Sequence, residues 1–425
     1  MNPRETARHG AAILALVLGL HASALGQSPA TRAIVGATVH TGVGQPLPGA
    51  SVLIRGERIL GVGDDLALPP DVERIDGRGK VLTAGFIATQ NPLGLVEVSL
   101  EPATNDQAAG EEGDPIRAAF SAEDGFNPRS TLIPVARRGG LTDALATPHA
   151  GLVGGTSAWV HLDGSLRPAG SVRSHVALHV RIDHATAQKS GGGRPSAWMR
   201  LREAFDDARL YQRQRAAYER RGLRAMRTSR LDLIRLGDAL QARLPVVIQV
   251  SRASDILRAL ELAKDYRLRL VLAGAEEAWR VADRIADAKV PVIVVPLSNL
   301  PSSFAALGSR FDNAAVLQRA GVRVIITTRG AHGLHNLRQE AGNAIAHGLD
   351  RQAALRALTV EPAEAFGLAH EIGSVRPGAL ANLVLWSGDP FELGTRAERM
   401  WIRGKQVSLR SRQSELLDRY RRLPR

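Results

Sequence analysis

Between residues 84 and 370 short apolar runs alternate with amphipathic segments, and this alternation limits the fold more than any other feature of the chain. RLPVVIQV precedes DILRALELAKDY, RLRLVLAGA precedes EEAWRVADRIADA, PVIVVPL precedes a loop, and AGVRVIITT precedes LRQEAGNAIAHGL. Strands rich in Val and Ile that are repeatedly followed by helices pair in parallel, since each crossover returns the chain to the same end of the sheet. At this length the repeated unit closes into an α/β fold, a (β/α)8 TIM-type barrel, whose chemistry sits at the C-terminal ends of its strands.

The flanks read differently. Residues 31–83 hold RAIVGATVH, SVLIRGERILGVG and ERIDGRGKVLT, β patterns punctuated by Gly and Pro, and residues 373–407 return to the same pattern around Pro377-Gly378 and Asp389-Pro390. Two β-rich ends around an α/β middle predict a small composite β-sandwich built from both chain ends, with the barrel inserted. The expected organisation is a leader at 1–26, β-sandwich at 27–83, barrel at 84–370, β-sandwich at 371–408 and a basic tail at 409–425.

Arg4 and Arg8, the apolar run AAILALVLGL and then Ala22, Ala24 and Gly26 give the basic, apolar and small-residue order of a secretory signal peptide, so a periplasmic or secreted protein is expected, with no transmembrane segment after cleavage. With no cysteine, the chain has neither disulfides nor thiolate ligands, so a metal would rest on His, Asp, Glu or a modified Lys. The formal charge of +13 comes mostly from Arg scattered along the chain, lysine standing only at 80, 189, 264, 289 and 405. With aromatics at 4% there is little to stack on bases, and nucleic-acid binding is not expected. Gly151–Gly155 and Gly191–Gly193 read as turns; neither carries the Lys and Ser/Thr of a phosphate loop, and no G-x-S-x-G elbow occurs.

IRGERILGVG and IDGRGKVLTAGFI at the front, FNPRSTLIPVARRGGLT in the middle, and LTVEPAEAFGL with GSVRPGALANLVLW at the end occur in an order that resembles the amidohydrolase superfamily, in particular its exported imidazolonepropionase-like and prolidase-like branch. The resemblance implies hydrolysis of carbon-nitrogen bonds by one or two metal ions, most often zinc. They would be held by His-x-His on strand one, a carboxylated Lys or Glu on strand four, His on strands five and six, and Asp on strand eight. Carried over residue by residue, it puts Gln90 and Pro92 in place of the strand-one pair, Gln249 at strand five, Ala273 or Gly274 at strand six and Arg329 at strand eight. A neutral amide is a weak zinc ligand, proline offers nothing, and a guanidinium repels a dication.

Other residues compete for a site. Lys189 is the lysine in the right region for a bridging carbamate, but AQKSGGG has a loop composition. His175, His179 and His184 stand four and five apart in SHVALHVRIDH; on a strand, residues four apart lie about 13 Å from one another, too far to share an ion, so they read as surface His on an edge or connecting strand. His149, His332 and His335 fall near the barrel mouth, Glu97, Glu101 and Asp106 follow strand one, and Asp124 and Asn127 read as capping and turn residues. Gln90, Gln249, Arg329 and His332 form the expected binding set, Arg329 with the two amides cradling a carboxylate. The leading expectation is thus a barrel with impaired or lost metal catalysis and no cofactor, serving as a binding or partner subunit for a small-molecule or peptide-like ligand, either as a homodimer or beside an intact relative. The alternative is an active exported amidohydrolase with a rearranged zinc site.

Overall fold

The computed structural model describes residues 31–108, 114–149, 151–166, 172–220, 222–298 and 300–421, so the leader at 1–26 lies outside the described residues. The front of the chain forms β1 (Thr31–His40), β2 (Leu47–Arg55), β3 (Arg58–Gly63), β4 (Glu73–Asp76) and β5 (Val81–Ala84). The middle contributes β6 (Phe86–Asn91), β7 (Leu141–Ala146), β8 (Val153–Thr156), β9 (Ala158–His161), β10 (Val172–Arg173) and β11 (Leu178–Arg181). It continues with β12 (Val246–Val250), β13 (Leu270–Gly274), β14 (Val292–Val294) and β15 (Val324–Ile326), and the end supplies β16 (Leu383–Trp386), β17 (Ala397–Ile402) and β18 (Lys405–Gln406).

Both chain ends meet in one eight-stranded sheet of order β18-β17-β16-β5-β1-β2-β3, with β4 beside β1. The join is the antiparallel pair of β5 with β16, in which Ala84 faces Leu383 and Val81 faces Trp386. One face of the sheet buries Ile34, Val52, Leu82, Leu383 and Trp401 together. The basic tail includes a helix, Arg412–Tyr420, opened by a capping box between Ser411 and Ser414.

β11 through β15 run in parallel, as their Val- and Ile-rich sequences predict. The helices between them are amphipathic: Ala253–Tyr266 buries Ile256, Ala259, Leu262 and Tyr266 at helical spacing and ends at Arg267 in the left-handed region. Side chains from inside the strand ring, among them Ile87, Leu145, Trp159, Val247, Val271, Ile293 and Ile325, pack on one another.

The third strand position departs from a (β/α)8 repeat. Residues 153–161 run antiparallel to β7 through β9 and antiparallel to β11 through β8. The Gly151–Gly155 run, read above as a turn, therefore includes the start of a buried strand. A side chain at Gly155 would put Cβ 2.4 Å from the Phe120 carbonyl oxygen, so glycine marks a close backbone approach here. Glycine as a strand residue against a neighbouring main chain cannot be told from a loop by composition. Between β15 and β6 no ladder forms among the described residues; the two ends are tied by the Thr327 hydroxyl donating to the Thr89 carbonyl.

The sheet and the ring of strands are locked at Asp143 of β7, which is fully buried. Its Oδ1 accepts from His161 Nδ1 at 2.6 Å and Trp159 Nε1 at 3.0 Å, and its Oδ2 from Thr142 Oγ1 at 2.7 Å and Asn382 Nδ2 at 2.8 Å. Burial alone would raise this carboxyl; the His161 charge and the bonds from His161, Thr142 and Trp159 outweigh burial and hold it below the ordinary carboxylate range. Asn382 also accepts from Gly85 N through its carbonyl and from Arg403 N through Oδ1, joining both halves of the sheet to the barrel. Removing one partner from such a site leaves buried donors unpaired, so Asp143→Ala is expected to lower stability by about 3–5 kcal/mol, read as a shift of the urea midpoint with an unchanged slope.

Candidate functional site

The strand ends surround a cavity of about 280 Å³ lined by Gln90, Pro92, His149, Arg181, Gln249, Glu276 and Arg329 among others. The registers explain this grouping. Arg181 of β11 is level with Gln249 of β12 and Ala273 of β13, one inward-facing layer above His179, Val247 and Val271. Gln90 is the last residue but one of β6, and Arg329 lies three residues beyond β15.

Gln90 sits at φ 52°, in the left-handed region, with its side-chain oxygen buried and unpartnered. Such a conformation costs of order ~1–3 kcal/mol in a non-glycine residue and clusters at functional sites. Arg329 is exposed, its side chain 63% accessible, with Nη2 3.9 Å from Glu276 Oε1 and Nε donating to Ser298 Oγ at 2.5 Å. Arg181 is more occupied: Nε donates to Asp183 Oδ2 at 2.5 Å, and Nη1 lies 2.7 Å from His149 Nε2. A guanidinium only donates, so His149 accepts at Nε2 and carries its proton on Nδ1. Desolvation at the cavity rim, and then the Arg181 charge, push the imidazole below its usual range, with Asp183 opposing.

His179 corrects the surface reading of the histidine run: it is buried on an interior strand flanked by β8 and β12, with neither ring nitrogen partnered. Burial first, with the neighbouring His149 adding to it, lowers its pKa to about 3, so the ring is neutral through the physiological range. His175 lies outside the strand, at φ 50°, between Thr156 Oγ1 at 2.8 Å and Arg235 Nη2 at 2.9 Å. His184 opens, and Lys189 closes, the helix His184–Lys189, which corrects the loop reading of that lysine.

His332 does not line the cavity; it is exposed, and its Nε2 donates to the Glu97 carbonyl at 2.9 Å. Nor do the acidic residues after β6 reach it. Glu97 Oε2 accepts from Thr131 N and Oγ1, Glu101 caps the turn at Pro102–Thr104, and Asp106 is exposed. Asn127 accepts from Arg129 N, as a turn residue does.

Arg181, Glu276 and Glu340 were missed in the sequence. Arg181 stands two residues after His179 on the same strand face, a signal hidden by the histidines around it. Glu276 follows the left-handed pair Gly274 and Ala275 that turns the chain out of β13. Glu340, in the helix Leu337–Ala346, accepts from Leu297 N at 2.7 Å; burial pushes its carboxyl up to about 7, opposed by that bond and by Arg329.

A divalent metal needs three or more converging oxygen or nitrogen ligands, with carboxylate or imidazole among them. Among the described residues no group of three or more His, Asp or Glu is placed to hold one. The mouth offers the amides of Gln90, Asn91 and Gln249, two guanidiniums, the His149 imidazole already bonded to Arg181 and one carboxylate already beside Arg329; with a single imidazole, a single carboxylate and two fixed positive charges, this donor set does not fit a dication. It suits an anion, which two amides and a guanidinium can meet with several N–H groups.

An amidohydrolase family model matches residues 252–407. The amidohydrolase tasK of Hapsidospora irregularis is 22% identical over 368 residues, 79% of this chain; the chain spans only 37% of that relative's length. The structure of an amidohydrolase from Thermotoga maritima MSB8 superposes with a TM-score of 0.81 at 27% identity, covering 89% of this chain and 100% of that one. A prolidase complexed with N-methylphosphonate-L-proline shares the fold at a TM-score of 0.55 and 16% identity, over 89% of this chain and 99% of its own. No helix among the described residues is long and apolar enough to cross a membrane.

Two outcomes follow from the strained and unpaired groups. Gln90→Gly accepts the left-handed backbone and deletes the unpartnered oxygen, and is expected to raise stability by up to about 1 kcal/mol in chemical denaturation. His179 has a folded pKa far below its unfolded one, so the unfolded chain binds the extra proton and stability falls as pH drops from about 6.5 toward 3. In thermal melts from pH 7 to pH 4, His179→Leu is expected to lose less stability than the parent chain.

Proposed function

This chain belongs to the amidohydrolase superfamily, a family of hydrolases, and we propose that it has lost metal-dependent hydrolysis and binds a small carboxylate at the barrel mouth, as a binding or partner subunit. The observation that carries this reading is Arg329: an exposed guanidinium at the end of β15, sharing one cavity with the amides of Gln90 and Gln249. Arg329 supplies the charge, and the amides supply further donors to the same carboxylate. Arg181, engaged by Asp183 and His149, contributes field more than contact.

Glu276 is the opposing term, since its carboxylate faces Arg329 at 3.9 Å and competes for it. The occupant can be a free small acid or the carboxylate end of a peptide-like ligand. A homodimer, or a heterodimer with an intact relative, is the assembly in which such a subunit would act. The order of basic, apolar and small residues in 1–26 supports export to a periplasm, tested by N-terminal sequencing of the mature protein.

Two measurements decide the reading. Elemental analysis after dialysis against zinc without chelator is expected to find no tightly held metal; one equivalent or more would revive the hydrolase with a rearranged site. Calorimetric titration with acetate is expected to show binding that weakens about tenfold in Arg329→Ala and tightens about two- to fivefold in Glu276→Gln. Unchanged affinity in Arg329→Ala would sink the cradle.

A further inference from the structure

Arg329 borders a second cavity as well. This space of about 400 Å³ is lined by Val295, Leu297, Leu300, Ser302 and Glu340, and shares Val295, Thr328 and Arg329 with the mouth cavity. It is an open groove beside the mouth, not an enclosed cleft, so an occupant would lie along its wall.

Val295, Leu297, Ser298, Leu300 and Ser302, which follow β14, edge this space, and several apolar side chains here and just beyond meet water. Leu297 is 50% exposed, Leu300 70%, Phe304 86% and Leu307 61%. Single exposed apolar side chains are ordinary, but several on one short segment beside a cavity mark a binding surface. Glu340 anchors the segment through Leu297 N, and burial keeps its carboxyl from full ionisation near neutral pH. Glu340, beside Leu297, therefore resists an apolar group less than a fully charged carboxylate would.

Resting on the carboxylate cradle proposed above, we propose that the ligand is an amphiphilic monocarboxylate: its carboxylate meets Arg329, and an alkyl or aryl tail lies along Val295, Leu297 and Leu300. The shared Arg329 carries this pairing, because one guanidinium borders both the mouth cavity and the space edged by Val295, Leu297 and Leu300. A ligand with charge alone leaves the leucines in water; one with a tail alone leaves Arg329 with only Glu276, at 3.9 Å, and Ser298 as partners.

The test is calorimetric titration of the full mature chain with acetate, butanoate, hexanoate and octanoate below their micelle concentrations, with 1-octanol as the uncharged control. Affinity is expected to rise about three- to fourfold for each methylene that becomes buried, and 1-octanol is expected to bind at least tenfold more weakly than octanoate. Leu300→Ser, a change at an exposed position, is expected to flatten the rise beyond butanoate while leaving acetate affinity unchanged. If no carboxylate of any length binds, the underlying cradle fails. If acetate and octanoate bind equally, the cradle stands and the amphiphile is overturned. If Leu300→Ser instead converts a dimer to a monomer in sedimentation, with octanoate affinity unchanged, the leucines are a subunit contact and the inference is likewise overturned.

Discussion

A single buried carboxylate ties the molecule together. Asp143 accepts from its own strand neighbour Thr142, from Trp159 and His161 on the antiparallel third strand, and from Asn382 in the sheet built by the chain ends. Taking an ion out of water costs several kcal/mol, and only a full set of donors offsets that cost. The donors come from three places in the fold, so the carboxylate is satisfied only when β7, β9 and the segment before β16 are all in place. Gly85, between β5 and β6, shows how tight the junction is: a Cβ there would lie 2.0 Å from Thr142 Oγ1.

The same antiparallel strand shapes the mouth. Because residues 153–161 take the third position without a crossover helix, β11 is paired on both sides and carries His179 inward and Arg181 to the rim. The two residues then meet different solvents. His179 is neutral because it is enclosed, whereas Arg181 reaches Asp183 and His149 at the rim. A ring of amides and guanidiniums with few anions is a poor home for a cation and a ready one for an acid.

Much of the fold is legible in the residues because parallel buried strands announce themselves. VVIQV and VII are apolar runs bounded by helical segments, and they are β12 and β15. The composite sheet is legible for a similar reason: its strands lie between Gly and Pro turns at both ends of the chain. The third strand is not, since Gly154 and Gly155 carry no side-chain pattern and are there for what they leave room for. The site is legible where it depends on strand ends, at Gln90, Gln249 and Arg329, all of which line one cavity. It is illegible where it depends on register or on distant loops. Arg181 matters through alignment with Gln249, Glu276 through a left-handed turn, and His332 turned away to bond the Glu97 carbonyl.

The pairing of β5 with β16 also bears on time. Ala84 meets Leu383 only after about 300 further residues have been made, among the most non-local contacts a chain of this size can have. Until β16 appears, β5 has an open edge and Asp143 lacks its Asn382 donor. The ring of strands can collapse on its own local contacts, but the junction waits for the last part of the chain. β16, with Asn382 just before it, is thus the closing clasp of the whole molecule, and a chain interrupted before it would be left with its most demanding charge unanswered.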